Sequence, residues 1–373
     1  MTSTLKVVDE ERALLVQVVL GRRNQEEAVD SLLELERLAD TVGAVVVGHI
    51  TQKRRTPTAG FMVGEGKLAD IQLACRETEA NLVIFDNDLA AVQVNNLDLA
   101  LGIKVIDRTE LILQIFARRA QSAESQTQVE LAQLQYLISR IPVSRQQQRF
   151  QGGIGMRGPG ESPLQLRNAP MRRRMKQLNG KLKRIQLQRH RTRDRRQWPL
   201  VCLVGYTNAG KSTLLNAFCE ANAYVDDRLF ATLDTKTRLV KLASGRACLL
   251  TDTVGFIRHL PHGLVASFRS TLDVVAEADL LLVVADAGHD HVGDHLAVVD
   301  ETLEQIGAHD VPSMLIFNKC DTTGAKAALD EIRARYPGSL AVSARRSQGL
   351  SSLRSRIDEA LSAMAESTET RSR

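Results

Sequence analysis

The fold is decided by the apolar run Leu200-Val201-Cys202-Leu203-Val204, the loop Gly205-Tyr206-Thr207-Asn208-Ala209-Gly210-Lys211-Ser212, and the segment Thr213-Leu214-Leu215-Asn216-Ala217-Phe218 that follows. A strand-length apolar run, a loop of the form GxxxxGK[ST] and a helical pattern stand here in the order a phosphate-binding loop requires. The glycines let backbone N–H groups wrap phosphates, and the helix N-terminus adds partial positive charge. Lys211 is placed to reach the β- and γ-phosphates, and the Ser212 hydroxyl to ligate Mg2+. A glycine turn before a structural helix is the bland alternative, and the strand–loop–helix context argues against it. Asn208 reads either as a turn residue or as a ligand for a monovalent cation, K+, beside the phosphates.

Three downstream stretches continue the same chemistry. In Leu249-Leu250-Thr251-Asp252-Thr253-Val254-Gly255 an acid ends an apolar strand and a glycine follows. Asp252 is expected to hold Mg2+ through water, and Gly255 to bring its N–H to the γ-phosphate. In Asn318-Lys319-Cys320-Asp321 a carboxylate again ends a strand, where it can accept two hydrogen bonds from guanine. Adenine presents an acceptor at one of those places, so the pattern selects GTP over ATP. Ser343-Ala344-Arg345 ends the next strand, in reach of the guanine carbonyl.

Between these lies Leu229-Phe230-Ala231-Thr232-Leu233-Asp234, the expected first switch. Thr232 is the expected hydroxyl closing on Mg2+, with Thr235 and Thr237 as competitors. Lys211, Thr232 and Gly255 are the expected catalytic set. Phe256 stands where some GTPases carry a water-orienting glutamine, so unassisted hydrolysis should be slow. Arg228, Arg238 and Arg258 flank the switches, and the sequence selects none of them as a catalytic arginine.

Outward from this GTP-binding region, 199–365, the chain reads as α/β throughout. Apolar strands at 14–20, 44–50, 81–85 and 103–106 alternate with helical patterns at 25–42, 66–79 and 89–101, predicting a small N-terminal parallel α/β domain over 1–108. From Thr109 one long helix is predicted, stopped by Pro142. A second helix follows the glycine-rich stretch 152–162, GGIGMRGPGES, and the two make a helical hairpin over 109–198. The GTP-binding domain should be a doubly wound, mostly parallel sheet, and 366–373 a frayed tail.

Charge is concentrated in the second helix. Residues 171–196 hold twelve Lys and Arg against one acid, Asp194, whereas 37 basic and 43 acidic residues make up the rest of a chain whose net charge is +5. Counterion release from a polyanion rewards such a stripe, so a polyanion is the expected partner, with a solvated helix face as the bland alternative. The longest apolar runs are strand-length, excluding a membrane span, and the start MTSTLKVVDEER does not read as a signal peptide. Five scattered cysteines without a CxxC pair suit reduced thiols in the cytoplasm. His289, His291, Asp294 and His295 form a metal-friendly cluster that a solvated loop explains as well. The stretch 60–67, GFMVGEGK, imitates a phosphate loop but has five residues between its glycines and Leu68 in place of a hydroxyl.

With these residues in view the chain resembles the HflX family of ribosome-associated GTPases. The resemblance rests on GYTNAGKSTLLN, LFATLD, DTVGFIRHLP, ASFRSTLDVVAEADLLL and NKCD, and upstream on VIFDN, VIDRTELILQIFARRA, TQVELAQLQYLISRI and GGIGMRGPGE. It implies a factor that binds the large ribosomal subunit (50S) and its rRNA through 152–196, and that separates ribosomal subunits under stress. It also implies Thr232 as the switch threonine, Ser212 and Thr232 as Mg2+ ligands, and hydrolysis stimulated by the ribosome. A monomer in the cytoplasm, partly associated with ribosomes or a membrane surface, is expected. The alternative is an RNA-binding regulatory GTPase, or a diverged paralogue with N-domain ATP or RNA-remodelling activity, acting off the ribosome. Met156 stands where relatives usually carry Thr, and Pro163 is expected to cut the start of the basic helix.

Overall fold

The computed structural model describes residues 10–21, 25–140, 163–193, 196–219, 228–258 and 272–371. The chain divides into two compact units, Met1–Arg118 with Val129–Gly180 and Arg119–Gln128 with Lys181–Arg373. The helical segment 109–198 therefore contributes residues to both. The glycine-rich stretch 152–162 lies outside the described residues.

In the first unit β1 (Arg12–Leu20), β2 (Val45–Arg54), β3 (Leu82–Phe85) and β4 (Lys104–Asp107) form a parallel sheet in the order β2-β1-β3-β4. The helices α1 (Gln25–Val42), α2 (Glu65–Glu77) and α3 (Ala91–Leu101) connect them. β1 is buried along nearly its whole length, as its apolar sequence requires of a parallel strand covered on both faces. The stretch 60–67 is a turn leading into α2: Thr58 and Met62 form a bridge, and Gly64 is the N-cap.

The charged residues of VIFDN and VIDRTE turn inward. Arg108, 2% exposed, donates to Asp86 at 2.8 Å and pairs with Glu34, while Ser31 and Gln17 also donate to Asp86. Burial alone would raise the Asp86 pKa, but Arg108 and the two neutral donors hold it below the usual carboxylate range. Asp107 is likewise buried, accepting from Tyr136 at 2.9 Å and paired with Arg140. These motifs fasten helices to the sheet end.

The predicted single helix after Thr109 is two, α4 (Arg108–Arg119) and α5 (Ala123–Arg140). Ser122 breaks the run by capping: its Oγ accepts from the Ser125 N–H at 3.0 Å. The basic helix α6 runs Pro163–Arg193. Pro163 opens it instead of cutting it, since the first helical position needs no N–H. Pro170 lies inside the same helix. Across the hairpin, Arg174 meets the Glu130 carboxylate with two bonds of 2.6 and 2.8 Å.

In the second unit six strands lie in the order β10-β9-β8-β5-β7-β6. These are β5 (Leu200–Gly205), β6 (Lys236–Lys241), β7 (Ala247–Asp252), β8 (Leu280–Asp286), β9 (Ser313–Asn318) and β10 (Leu340–Ala341). All pairs are parallel except β6 with β7. The helices α7 (Lys211–Phe218), α8 (Val292–Gln305), α9 (Thr323–Arg335) and α10 (Leu350–Arg371) belong to the same unit. Apolar side chains from the strands enter two separate clusters. One includes Leu203, Leu214 and Leu353, the other Val204, Leu281 and Phe317. This is the doubly wound arrangement, and it puts ligand-binding loops at the strands' C-terminal ends. No disulfide is present, and burial pushes the Cys202 thiol up to about 12.

Candidate nucleotide site

Four strand ends build the site: Gly205 closes β5, Asp252 closes β7, Asp286 closes β8 and Asn318 closes β9. The loop after β5 is fixed by close approaches. Gly205 has φ +150°, and a Cβ there would stand 2.1 Å from the Val284 carbonyl oxygen. Gly210, at φ +89°, caps α7, and its Cβ would fall 2.2 Å from Asn318 Nδ2. Neither position tolerates a side chain.

Lys211 is 6% exposed and donates to the carbonyls of Gly205 at 3.0 Å and Tyr206 at 2.8 Å. Burial pushes its pKa down to about 8 against the attraction of Asp252. The Ser212 hydroxyl lies 2.8 Å from that of Thr232 and donates to Asp252 Oδ2 at 2.6 Å. Asp252 is fully buried, and its Oδ1 has no hydrogen-bond partner among the described residues. Burial raises the Asp252 pKa, opposed by Lys211 and the two hydroxyls. Three hard oxygen groups converging around an orphaned carboxylate oxygen are a donor set that fits Mg2+.

The residues after Asp252 are zipped to the phosphate loop. The Thr207 N–H donates to the Phe256 carbonyl at 2.8 Å, and the Phe256 N–H to the Gly205 carbonyl at 3.1 Å. Thr253, buried, donates its hydroxyl to the Leu203 carbonyl at 2.7 Å. A Cβ on Gly255 would stand 2.8 Å from Thr207 Cα and 3.1 Å from Lys211 Nζ. Phe256, 3% exposed, packs into the core beside Val204 and Leu281. The position of the missing glutamine thus points away from any substrate.

Of the three threonines, Thr232 lines the cleft with Lys211 and Ser212. Thr237 instead pairs with Thr251 across β6 and β7 at 2.8 Å. Phe230, Ala231, Asn208 and Thr213 also line the cleft, whereas Leu233 and Ala209 are core residues. Asp234 faces elsewhere, accepting from the N–H groups of Gln121 and Ser122 at 2.9 and 3.2 Å. Tyr206 stacks on His295 at 3.8 Å, with the rings 4° from parallel. Val254 is buried and does not line the cleft.

At the end of β9, Asn318 donates to the Ala209 carbonyl and accepts from the Ala344 N–H, both at 3.0 Å. This ties three of the sequence motifs together. Lys319, at φ +62°, pairs with Asp286 at 2.8 Å and lines the cleft. The Cys320 N–H donates to the Val342 carbonyl at 3.1 Å. Asp321 accepts from Ser343 Oγ at 2.7 Å and Arg346 Nε at 3.3 Å, and the Ser343 bond leads in holding its pKa low. Arg345 is exposed. Arg346 and Asp286 were not picked out by motif, because a motif specifies what touches substrate and not what touches the motif; Arg228, named above as flanking the switches, lines the cleft.

In the histidine cluster the His289 and His295 rings lie 4.1 Å apart and tilted by 43°, with His295 stacked on Tyr206 on its own account. Among the described residues no group of His, Cys, Asp and Glu could hold a metal by itself. No helix among them is long and apolar enough to cross a membrane.

Family models match the chain in three successive pieces. "GTP-binding GTPase N-terminal" matches 29–117, "GTP-binding GTPase Middle Region" 119–196 and "50S ribosome-binding GTPase" 200–319. GTPase HflX of Alkalihalophilus pseudofirmus is 45% identical over 96% of this chain and 85% of its own length. The chain belongs to the HflX family of GTPases. GTPase HflX of Caldanaerobacter subterraneus subsp. tengcongensis is 46% identical over 84% of this chain and 73% of its own, and that of Escherichia coli K12 41% over 94% and 83%. Among solved structures, an SsGBP–GDP complex covers 96% of this chain and 99% of its own, at 23% identity and TM-score 0.50, a likeness of fold alone. As an HflX-family GTPase, the chain hydrolyses GTP to GDP and phosphate.

Proposed function

We propose that this HflX-family GTPase binds the large ribosomal subunit, contacts its RNA through 152–196 and separates ribosomal subunits under stress. The observation that carries the reading is α6. Its Arg172, Arg173, Lys176, Lys181, Lys183 and Arg184 are exposed while Leu178 and Leu182 are buried, so one helix anchors itself by apolar contacts and presents cations outward. The match of 200–319 to a "50S ribosome-binding GTPase" model supports the same partner.

In this reading the amides of 205–212 and the Lys211 amine hold the β- and γ-phosphates. Ser212 and Thr232 would hold Mg2+, with Asp252 as the acid behind them acting through water. Bound Mg2+ neutralises charge on the phosphates. Gly255 reads the γ-phosphate through its N–H, and Asp321 with Ser343 and Ala344 reads guanine. Asn208, at φ +59° on the cleft wall, is the residue placed to assist a K+ ion. Hydrolysis is slow in the free, monomeric, cytoplasmic protein and accelerated on the ribosome, and GDP formation releases it.

The test is sedimentation of 70S particles with the full chain and a non-hydrolysable GTP analogue, together with GTPase rates on adding 50S or 30S subunits. Conversion of 70S to subunits, with stimulation by 50S alone, is expected. Unchanged 70S peaks at saturating protein refute splitting, and salt-sensitive RNA binding without ribosome stimulation points to a regulatory GTPase acting off the ribosome.

A further inference from the structure

A buried polar side chain is nearly always hydrogen-bonded, and one that is not calls for an explanation. In the second unit, among the described residues, two buried side-chain atoms lack a partner. One is Asp252 Oδ1, which belongs to the donor set that fits Mg2+. The other is Thr207 Oγ1, and Thr207 is 7% exposed and lines the cleft. Its hydroxyl neighbours are committed. Ser212 and Thr232 bond each other, Ser212 also donates to Asp252, and Thr253 donates to the Leu203 carbonyl. Thr213 lies one residue further along α7.

The place of this hydroxyl follows from its neighbours. The Thr207 N–H is held by the Phe256 carbonyl at 2.8 Å. A Cβ built on Gly255 would stand 2.9 Å from Thr207 Cγ2 and 3.1 Å from Lys211 Nζ, so the threonine side chain and the lysine amine approach the same point. Gly255 and Lys211 are the two groups expected on the γ-phosphate, which puts Thr207 at that end of the cleft. The cleft has a volume of about 70 Å³, the share of two or three waters in the liquid. A triphosphate is larger, so its entry must widen the cleft and uncover wall atoms that are now enclosed. We propose that the Thr207 hydroxyl orients the attacking water in GTP hydrolysis, accepting its hydrogen bond and turning its oxygen toward the γ-phosphorus. The proposal rests on the reading of 205–212 as the phosphate loop.

The chemistry calls for such a group. In hydrolysis the water oxygen bonds to the γ-phosphorus and the bond from that phosphorus to the β–γ bridging oxygen breaks. The electron pair leaves with GDP, and the water's protons end on inorganic phosphate and in solvent. Phosphate oxygens need donors, which the loop amides and Lys211 supply in this reading. The water needs an acceptor that fixes its direction of approach. Phe256, where a glutamine would do this, is 3% exposed and packed into the core, with no polar group to offer. A threonine hydroxyl accepts through two lone pairs and stays neutral throughout, so it orients the water without taking its proton.

Single-turnover GTP hydrolysis by the full chain tests this for Thr207→Val and Thr207→Ser, with binding of a non-hydrolysable GTP analogue and thermal melting of the nucleotide-free protein. Valine keeps the shape of the side chain and removes the hydroxyl alone. Thr207→Val should slow hydrolysis about ten- to a hundred-fold and keep analogue affinity within about threefold. It should melt no lower than the wild type, because the hydroxyl it removes has no partner to lose. Thr207→Ser should recover most of the rate. Wild-type hydrolysis by Thr207→Val overturns the proposal, and so does a Thr207→Ser as slow as Thr207→Val, which would put the effect in the methyl. A loss of analogue affinity equal to the loss of rate also overturns it, making the hydroxyl a ground-state contact. Lys211→Ala keeps the two readings apart. Retained GTP affinity in that variant refutes the phosphate loop itself, whereas lost affinity leaves the Thr207 result to stand alone.

Discussion

The Asp234 carboxylate accepts a hydrogen bond from the Ser122 hydroxyl at 2.6 Å, 112 residues away in sequence. The same carboxylate takes the N–H groups of Gln121 and Ser122, the two residues that precede α5. It braces Ser122, the cap of that helix, from outside. Thr232, two residues earlier, lines the cleft, so one short segment touches both the phosphate end of the site and the cap of α5.

Asp234→Ala should therefore loosen the start of α5 without removing any cleft-lining group. Losing the carboxylate that braces a cap costs about 1 kcal/mol, or roughly fivefold in local opening. Faster hydrogen exchange at the amides of 121–125 is the expected readout, with GDP affinity kept. The effect depends on ionisation. Burial would raise the Asp234 pKa, but the bonds from Ser122, Ser125 and Gln121 hold it below its ordinary 3.8. The stabilisation is thus present above about pH 4 and lost as pH falls through the depressed value. Unchanged exchange at 121–125 near neutral pH would refute the brace.

Asp234 also marks the limit of what the sequence made legible. The phosphate loop, Asp252 and Asn318 could be read because each stands at the end of an apolar strand, and a strand end in a parallel sheet has one place to go. Spacing did not separate Thr232 from Thr235 and Thr237, and only the resemblance chose it; in the structure the Thr237 hydroxyl is spent on Thr251. The break between α4 and α5 escaped because it is made by a cap, the Ser122 hydroxyl on the Ser125 N–H, and the apolar periodicity does not report caps. Pro163 misled for a related reason: proline is excluded from helix interiors, and position within the helix decides. The upstream motifs around Asp86 and Arg108 carried the resemblance with no chemistry assigned to them. Their charges are buried and satisfied by one another, which no spacing reveals.

Lys211 gives a prediction about pH. In the nucleotide-free protein burial pushes its pKa from 10.5 to about 8. The folded chain releases this proton before the unfolded one, so the unfolded state binds more protons between about pH 8 and 10.5. Stability rises with pH across that window, and the cost of burying the cation is fully present below it. Lys211→Ala removes the cost, on the order of 1–3 kcal/mol. The nucleotide-free variant should melt above the wild type at pH 7, and the gap should narrow by pH 10. A gap independent of pH contradicts the buried charge.

Gly255→Ala tests the contact between the segment after Asp252 and the phosphate loop. The added Cβ meets Thr207 Cα at 2.8 Å, a backbone atom that cannot swing aside. Thr207 is itself held by its N–H bond to the Phe256 carbonyl, so the two strands of this contact must separate together. The methyl also approaches Lys211 Nζ at 3.1 Å. Affinity for a non-hydrolysable GTP analogue should fall by tenfold or more, on the order of 1–3 kcal/mol for such strain, and GDP affinity by much less. Equal losses for both nucleotides would show that Gly255 does not read the γ-phosphate.

Guanine selection should be convertible at Asp321. Its carboxylate is held by Ser343 and Arg346, and the Ser343 bond keeps it ionised to well below neutral pH. An ionised carboxylate only accepts, which matches the two N–H donors on the guanine edge. Asp321→Asn replaces one acceptor by an NH2 donor. That donor faces a guanine donor but suits the carbonyl that xanthine carries at the same place. GTP affinity should fall about a hundredfold or more, since a site built for a hydrogen bond strongly rejects a mismatch, while xanthosine triphosphate gains. Competition of the two nucleotides against fluorescent GDP measures the switch. If the variant keeps its preference for GTP, guanine is read elsewhere, and the backbone N–H groups after Ser343 become the place to look.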